Sequence, residues 1–396
     1  MNKQRQVIVI GAGASGLMAA ITAAEHGAGV LVLEHMDSAG KKLLLTGKGR
    51  CNYTNTDVSP KHYHSFERYL AGSDAGNAPS KFIEAVLSEF DHPACLKFFR
   101  ELGIEPDIRH YRFDDTGYVY PEEGGAVRVL EALMRRAALL GVRFLYGVRI
   151  STAVRADDGS FTVSWHQSVH GHTAEERERC DALIIAAGSN SHPDTGSDSS
   201  VYPLLKDLGL SADHTGFLPA LCALYSKDPL LSKWKGRRAE GTVSLLIDGR
   251  KTSRKESGEI QFNEHSISGI PVMQLSGLAS SCLKNGRNTE LLVQIPDADG
   301  EHLLMDHVFP IHRTAGFERA QCCTGGIRLG AVDPLSMESR HVRDVYFCGE
   351  ILDVDGDCGG YNLHFAWASG RLAGRCAADP VRERFYAHKD SKSTLE

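Results

Sequence analysis

Short uninterrupted apolar runs alternate with helical stretches at the start of the chain. Residues 7–10 (VIVI) form a β-branched run with no polar face, the pattern of a strand buried on both sides. Residues 17–26 predict a helix, and residues 29–33 a second buried strand. Residues 56–80 read as irregular and polar. Between 81 and 102 the apolar positions Phe82, Ile83, Val86, Leu87, Leu96, Phe98, Phe99 and Leu102 keep helical spacing, broken at Pro93, so two short helices are expected. A helix over 125–140 and strands at 142–146 and 149–155 follow, with a hairpin partner at 160–166 across Asp157-Asp158-Gly159. Residues 182–186 read as another buried strand.

The pattern then changes. Small polar residues fill 189–200, and between 211 and 296 short apolar or alternating runs (220–225, 242–247, 260–263, 290–295) are separated by Gly, Pro, Asp and Asn. Only one helical run, 270–283, interrupts them. A buried strand at 345–348 and a helix beginning near Gly360 then restore the opening style. This order predicts an α/β fold: a Rossmann-like domain begun by residues 1–190 and finished by 321–380, a β-rich domain inserted at 191–320, and a tail at 381–396.

Three glycines sharpen the picture. Gly11, Gly13 and Gly16 make G-x-G-x-x-G between the first strand and helix, the turn that cradles a dinucleotide pyrophosphate. Gly11 allows the sharp turn, Gly13 close backbone approach, and Gly16 packing of helix on sheet. Such a turn alone is common. Here the second strand ends in Glu34, placed to accept hydrogen bonds from an adenosine ribose. The Lys41, Lys42 and Arg50 segment then reads as folded back over phosphate or substrate charge. Ala187-Gly188 stands at the carboxyl end of a strand, where ligands approach an open sheet.

Composition narrows the function classes. The 396 residues carry a net charge of −6, without the basic excess of a dedicated nucleic-acid binder. No apolar run reaches the roughly 20 residues that span a bilayer. Ten cysteines contain no C-x-x-C pair, so free thiols in the cytoplasm are expected, with no metal site. Asp353, Asp355 and Asp357 resemble a calcium loop, but Cys358 and His364 stand where that loop needs Gly and Glu; capping of backbone N–H groups is the preferred reading. The chain has no G-x-S-x-G, and the Gly40 to Lys48 stretch has the wrong spacing for a P-loop.

Several longer motifs, VIVIGAGASGLMAA, GKKLLLTGKGRCNYTN, SGEIQFNEHSISGIPVMQLS, TGGIRLGAVDPLSMESR and FCGEILDVDGDCGGYNLHFAWASGRLAG, resemble the BaiN/YhiN group of flavoproteins, also labelled the aminoacetone oxidase family. The resemblance runs over nearly the whole chain. It implies noncovalent FAD on the Rossmann-like domain, with the β-rich domain over the flavin. A single glycine fingerprint agrees with FAD rather than a separate nicotinamide domain; NADH or NADPH as a transient reductant is what the resemblance implies. The implied cofactor contacts extend to Ala14, Ser15, Gly47, Cys51, Asn52, Val148 and Gly188. They include Gly349 and Glu350 at the ribityl chain, and Gly359, Gly360, Tyr361 and Asn362 at a helix end beside the flavin ring. Tyr361, His364 and His265 are the candidate proton donors.

The chain departs from the group in a short 296–324 segment and in His364 where glutamine is expected. Activities implied by the group are reduction of a C=C bond conjugated to a carbonyl in a 3-oxo bile acid or steroid, the leading expectation, then oxidation of a small amino ketone, and reduction of uridine in ribosomal RNA. A small-molecule partner is therefore expected before a nucleic acid. The sequence sets no oligomeric state.

Overall fold

Buried strands and the helices that cover them set the layout. The computed structural model describes residues 4–71, 78–107, 116–169, 172–297 and 303–379, so the tail expected at 381–396 lies outside the described residues. In chain order the first segment holds β1 (Gln6–Ile10), α1 (Ala14–Glu25), β2 (Gly29–Leu33), α2 (Gly125–Leu139), β3 (Arg143–Leu145) and β4 (Ala182–Ile185). Next come β5 (Leu224–Ser226), β6 (Arg238–Ile247), β7 (Arg250–Phe262), β8 (Ser266–Ser268), α3 (Ile270–Lys284), β9 (Thr289–Pro296) and β10 (Leu303–Thr314). The chain returns with β11 (Val345–Phe347) and α4 (Tyr361–Ala378).

β11, β4, β1, β2 and β3 form one parallel five-stranded sheet in that order. Ile10 stands opposite both Ile185 and Leu33, so the carboxyl ends of the strands line up. The residues that follow them, Gly11, Glu34, Ala186 to Gly188 and Cys348 to Glu350, therefore gather at one edge, where open α/β sheets bind ligands.

α4 lies across α1 at a distance only glycine permits. A Cβ on Gly370 would meet the Ser15 carbonyl oxygen at 2.4 Å, and one on Gly374 would meet that of Ala19 at 2.3 Å. This crossing fixes the last element of the chain against the first.

The six antiparallel strands β5-β8-β7-β6-β9-β10 close into a barrel. Leu245, Ile260, Phe262, Leu291, Val293 and Phe309 fill it together with Val272, Leu275 and Ala279 of α3. An antiparallel pair, His214–Ala220 with Cys322–Ile327, forms the neck to the parallel-sheet domain. A polar latch reinforces it. Arg254 of β7 reaches Asp357 Oδ1 at 2.6 Å, while His62 Nδ1 lies 3.1 Å from Asp357 Oδ2 and His64 Nε2 2.9 Å from Oδ1. Burial opposes ionisation of Asp357, but His62, His64 and Arg254 outweigh it and hold the carboxyl well below its ordinary value.

Four stretches behave differently from their sequence reading. His172–Cys180, rich in Glu and Arg, is a third strand on the 160–166 hairpin. Leu303–Thr314 closes the barrel, and charged β7 pairs with β6 along most of its length and with β8 only at Gln261 and Phe262. Within 56–80, Tyr63–His64 pairs with Asp355–Gly356, and Phe66–Ala71 is helical. Asp353 caps that helix: Oδ1 accepts the Phe66 N–H at 2.7 Å and Oδ2 the Glu67 N–H at 3.3 Å. Among the described residues no helix is long and apolar enough to cross a membrane.

Two stability outcomes are expected. Gly374→Ala forces α4 off α1 and should cost about 1–3 kcal/mol in chemical denaturation, whereas Val127→Ala, on an exposed position of α2, should stay within about 0.5 kcal/mol. At His62, burial opposes the charge, but Asp357 and Asp57 hold the imidazole above its ordinary 6.5. A raised folded value gives stability that is full below the unfolded value and fades as pH rises through the folded one. The wild-type advantage over His62→Gln should therefore be larger near about pH 5.5 than near about pH 8.5, read from urea midpoints.

Candidate functional site

The edge where the strand ends converge opens into a cavity of about 1020 Å³ that continues beneath the barrel. Its floor is the glycine turn. A Cβ on Gly11 would lie 2.5 Å from the Ala186 carbonyl oxygen, and one on Gly16 only 2.0 Å from that of Gly11, so both glycines are packing requirements. Gly13 differs: a Cβ there meets nothing within 4 Å, because the position faces the cavity. The first turn of α1 has no side-chain cap, and Gly13, Ala14 and Ser15 line the wall. Such an end fits a pyrophosphate.

Beside it Glu34 is 8% exposed. Its Oε2 accepts the Ala12 N–H at 2.7 Å and its Oε1 the Met36 N–H at 2.8 Å, which fixes the carboxylate on the cavity wall with lone pairs left for a ribose. Across the cavity Glu350 pairs with the Lys42 ammonium and accepts the Cys323 N–H at 3.1 Å. Lys42 also donates to Ser191 Oγ at 2.7 Å. Two residues 308 positions apart thus share one charge pair at the site. The α4 N-terminus, again without a side-chain cap, adds Gly359, Gly360 and Asn362 to the wall. Together these groups fit the phosphates, ribose and ring end of an adenine dinucleotide, and Gly47, Arg50, Asn52, Val148, Ala187 and Gly188 line the same space.

Other expected site residues stand elsewhere. Cys51 is fully buried, Gly349 is pressed against Ser15, and neither lines the cavity; like Gly16, they shape it from behind. The proton-donor expectation needs the larger correction. His364 is fully buried in α4, where Nδ1 lies 2.8 Å from Thr54 Oγ1 and Nε2 lies 2.9 Å from the Phe90 carbonyl; burial pushes it down to about 4. Tyr361 is buried, with its ring stacked on His62 at 4.4 Å. His265 is exposed on the turn between β7 and β8, off the cavity wall. None of the three faces the space where a substrate would lie.

The wall instead presents residues that the sequence did not mark. Tyr118 is half-buried, with its ring over Gly359 so closely that a Cβ on that glycine would meet Cε1 at 2.6 Å. Tyr120 carries the Arg50 guanidinium 4.2 Å above its ring. From the barrel side come Gln261, Ile270, Met273 and Cys322, and Leu221 joins them from an unusual backbone at φ 49°. Leu45 and Ile270, each 48% exposed, stand on this wall and give it an apolar rim. Burial pushes the Cys358 thiol up to about 12 and Cys322 well above the usual thiol range.

Comparison with known proteins agrees with this arrangement. The model of the HI0933-like protein Rossmann domain matches residues 5–376. A 3-dehydro-bile acid delta(4,6)-reductase of Clostridium scindens is 32% identical, covering 94% of this chain and 98% of its own. A ribosomal RNA dihydrouridine synthase of Escherichia coli is 25% identical, covering 94% and 97%. Among solved structures, a 3-ketosteroid-delta4-(5alpha)-dehydrogenase of Rhodococcus jostii RHA1 shares the fold with a TM-score of 0.52 at 18% identity, over 96% of this chain and 97% of that one. A parallel sheet ending in an uncapped glycine turn, and a family match along almost its whole length, establish that the chain belongs to the HI0933-like Rossmann-domain family of FAD-dependent oxidoreductases.

Proposed function

We propose that this chain reduces a C=C bond conjugated to a carbonyl in a 3-oxo steroid or bile-acid type substrate, with NADH or NADPH as the transient reductant. Residues 1–190 and 321–380 hold FAD, and residues 191–320 cover the substrate. The observation that carries the reading is the apolar rim: Leu45, Leu221, Ile270 and Met273 surround the part of the cavity under the barrel, suited to a rigid hydrocarbon skeleton. The 32% identity to the bile acid reductase supports it. The ten free cysteines suit the reducing cytoplasm.

Bound FAD supplies the hydride-transfer chemistry. The chain's own residues bind, orient and protonate. Gly13 to Ser15 take the phosphates, Glu34 the ribose and Glu350 the ribityl hydroxyls. The α4 N-terminus, with Gly359, Gly360 and Asn362, favours negative charge beside it. Reduction of an enone also needs a proton at the carbon next to the carbonyl, and Tyr118 is our candidate to give it: its ring lies over Gly359 on the cavity wall, which the three residues expected from sequence do not line.

The RNA reading is less favoured because part of the basic character it would draw on is already engaged. Lys41 pairs with Asp37, Lys42 with Glu350 and Arg238 with Glu259.

Anaerobic stopped-flow separates the alternatives. NADH or NADPH should bleach the flavin, and a 3-oxo-Δ4 steroid should restore its colour faster than uridine-containing RNA or oxygen does. Bleaching by an amine, or faster recovery with RNA, would overturn the reading. Tyr118→Phe should leave bleaching by the nicotinamide unchanged and slow enone turnover by about 100-fold.

A further inference from the structure

The cations of the cavity wall sort into two groups. Lys41, Lys42 and Arg50 are engaged by Asp37, Glu350 and Tyr120. Lys48, Arg149 and Arg319 also line the cavity, and among the described residues their side chains make no hydrogen bond or ion pair. Lys48 belongs to the glycine-rich segment beside the cofactor floor. Arg149 follows Val148 on the Glu34 side, near enough to Asp198 to lower that carboxyl. Arg319 alone comes from the inserted segment, and it is exposed.

Its backbone is held from both sides. The Phe317–Arg319 turn accepts the His192 N–H at its Phe317 carbonyl, 3.0 Å away, and the next residue, Ala320, is fully buried. Gln321, also on the wall, donates its N–H to the carbonyl of Leu221, one of the apolar rim residues. An arginine whose side chain has no partner among the described residues thus stands on a held backbone, two residues from a segment tied to the rim. That is the arrangement for an amphipathic anion: hydrocarbon on one part of the wall, a planar fork of N–H donors on another.

We infer that Arg319 is a specificity-determining residue that binds the carboxylate of an acidic, otherwise apolar substrate, so that the site selects steroid acids over neutral steroids. The inference rests on the enone-reductase reading and names what that reading leaves open, the polar end of the substrate.

A free acid and its methyl ester decide it, because the two share a skeleton and differ in charge. With a 3-oxo-Δ4 steroid acid, Arg319→Gln should raise KM about 10-fold or more and leave kcat nearly unchanged; with the ester, KM should stay within about 2-fold. Arg319→Lys should recover part of the loss. Calorimetric binding of the saturated acid and its ester to the oxidised holoenzyme gives a readout that needs no turnover: the wild type should prefer the acid, and the Gln variant should not. Equal effects on acid and ester, no preference in the wild type, or loss of flavin from Arg319→Gln, marking a cofactor phosphate ligand, would each overturn the assignment. If neither compound restores the colour of reduced flavin, the enone reading fails, while the binding comparison still decides Arg319.

Discussion

The crossing of α1 and α4 is the constraint on which the site depends. The dinucleotide turn lies near the start of the chain and the helix that completes the cavity near its end, and only backbone-to-backbone approach at Gly370 and Gly374 brings the two uncapped helix N-termini to the same opening. Once they are there, Glu34 and Glu350 face a common space without further adjustment. The sheet contributes the other half of the geometry. Parallel strands with aligned ends deliver each following loop to one edge, which is why residues from five parts of the sequence share a wall.

The barrel and the parallel sheet meet through groups of opposite character. The neck is an ordinary antiparallel pair, whereas the latch around Asp357 gathers an arginine from β7 and two histidines from the first segment. Removing one partner from such a cluster leaves charge buried without compensation. Its position next to Cys358 and Gly359 ties domain placement directly to the cavity wall.

Much of this was legible in the sequence because burial on both faces leaves an unmistakable record. The VIVI run, the glycine turn, Glu34 and the interrupted helices around Pro93 appear where the pattern put them. Strands whose faces are wet were not legible. The charged stretch in β7 and the Glu/Arg-rich His172–Cys180 get their backbone hydrogen bonds from neighbours, and their side chains give no hydrophobic period to detect. The three candidate proton donors stand off the cavity wall for a related reason. A histidine in a helix looks chemically capable in sequence, yet His364 spends both ring nitrogens on Thr54 and Phe90. Tyr118 sits on a two-residue strand paired with Thr54 and Asn55, and Arg319 in a single helical turn held by His192, elements too short to leave a period in the sequence.

The state of the wall thiols bears on the chemistry proposed for the cavity. A conjugated ketone is an electrophile that thiolates attack, and Cys322 and Cys358 both border the space it would enter. Burial keeps these sulfurs protonated at neutral pH. The wall therefore meets such an electrophile with thiols and not thiolates, a consequence of burial reinforced by the carboxylates nearby.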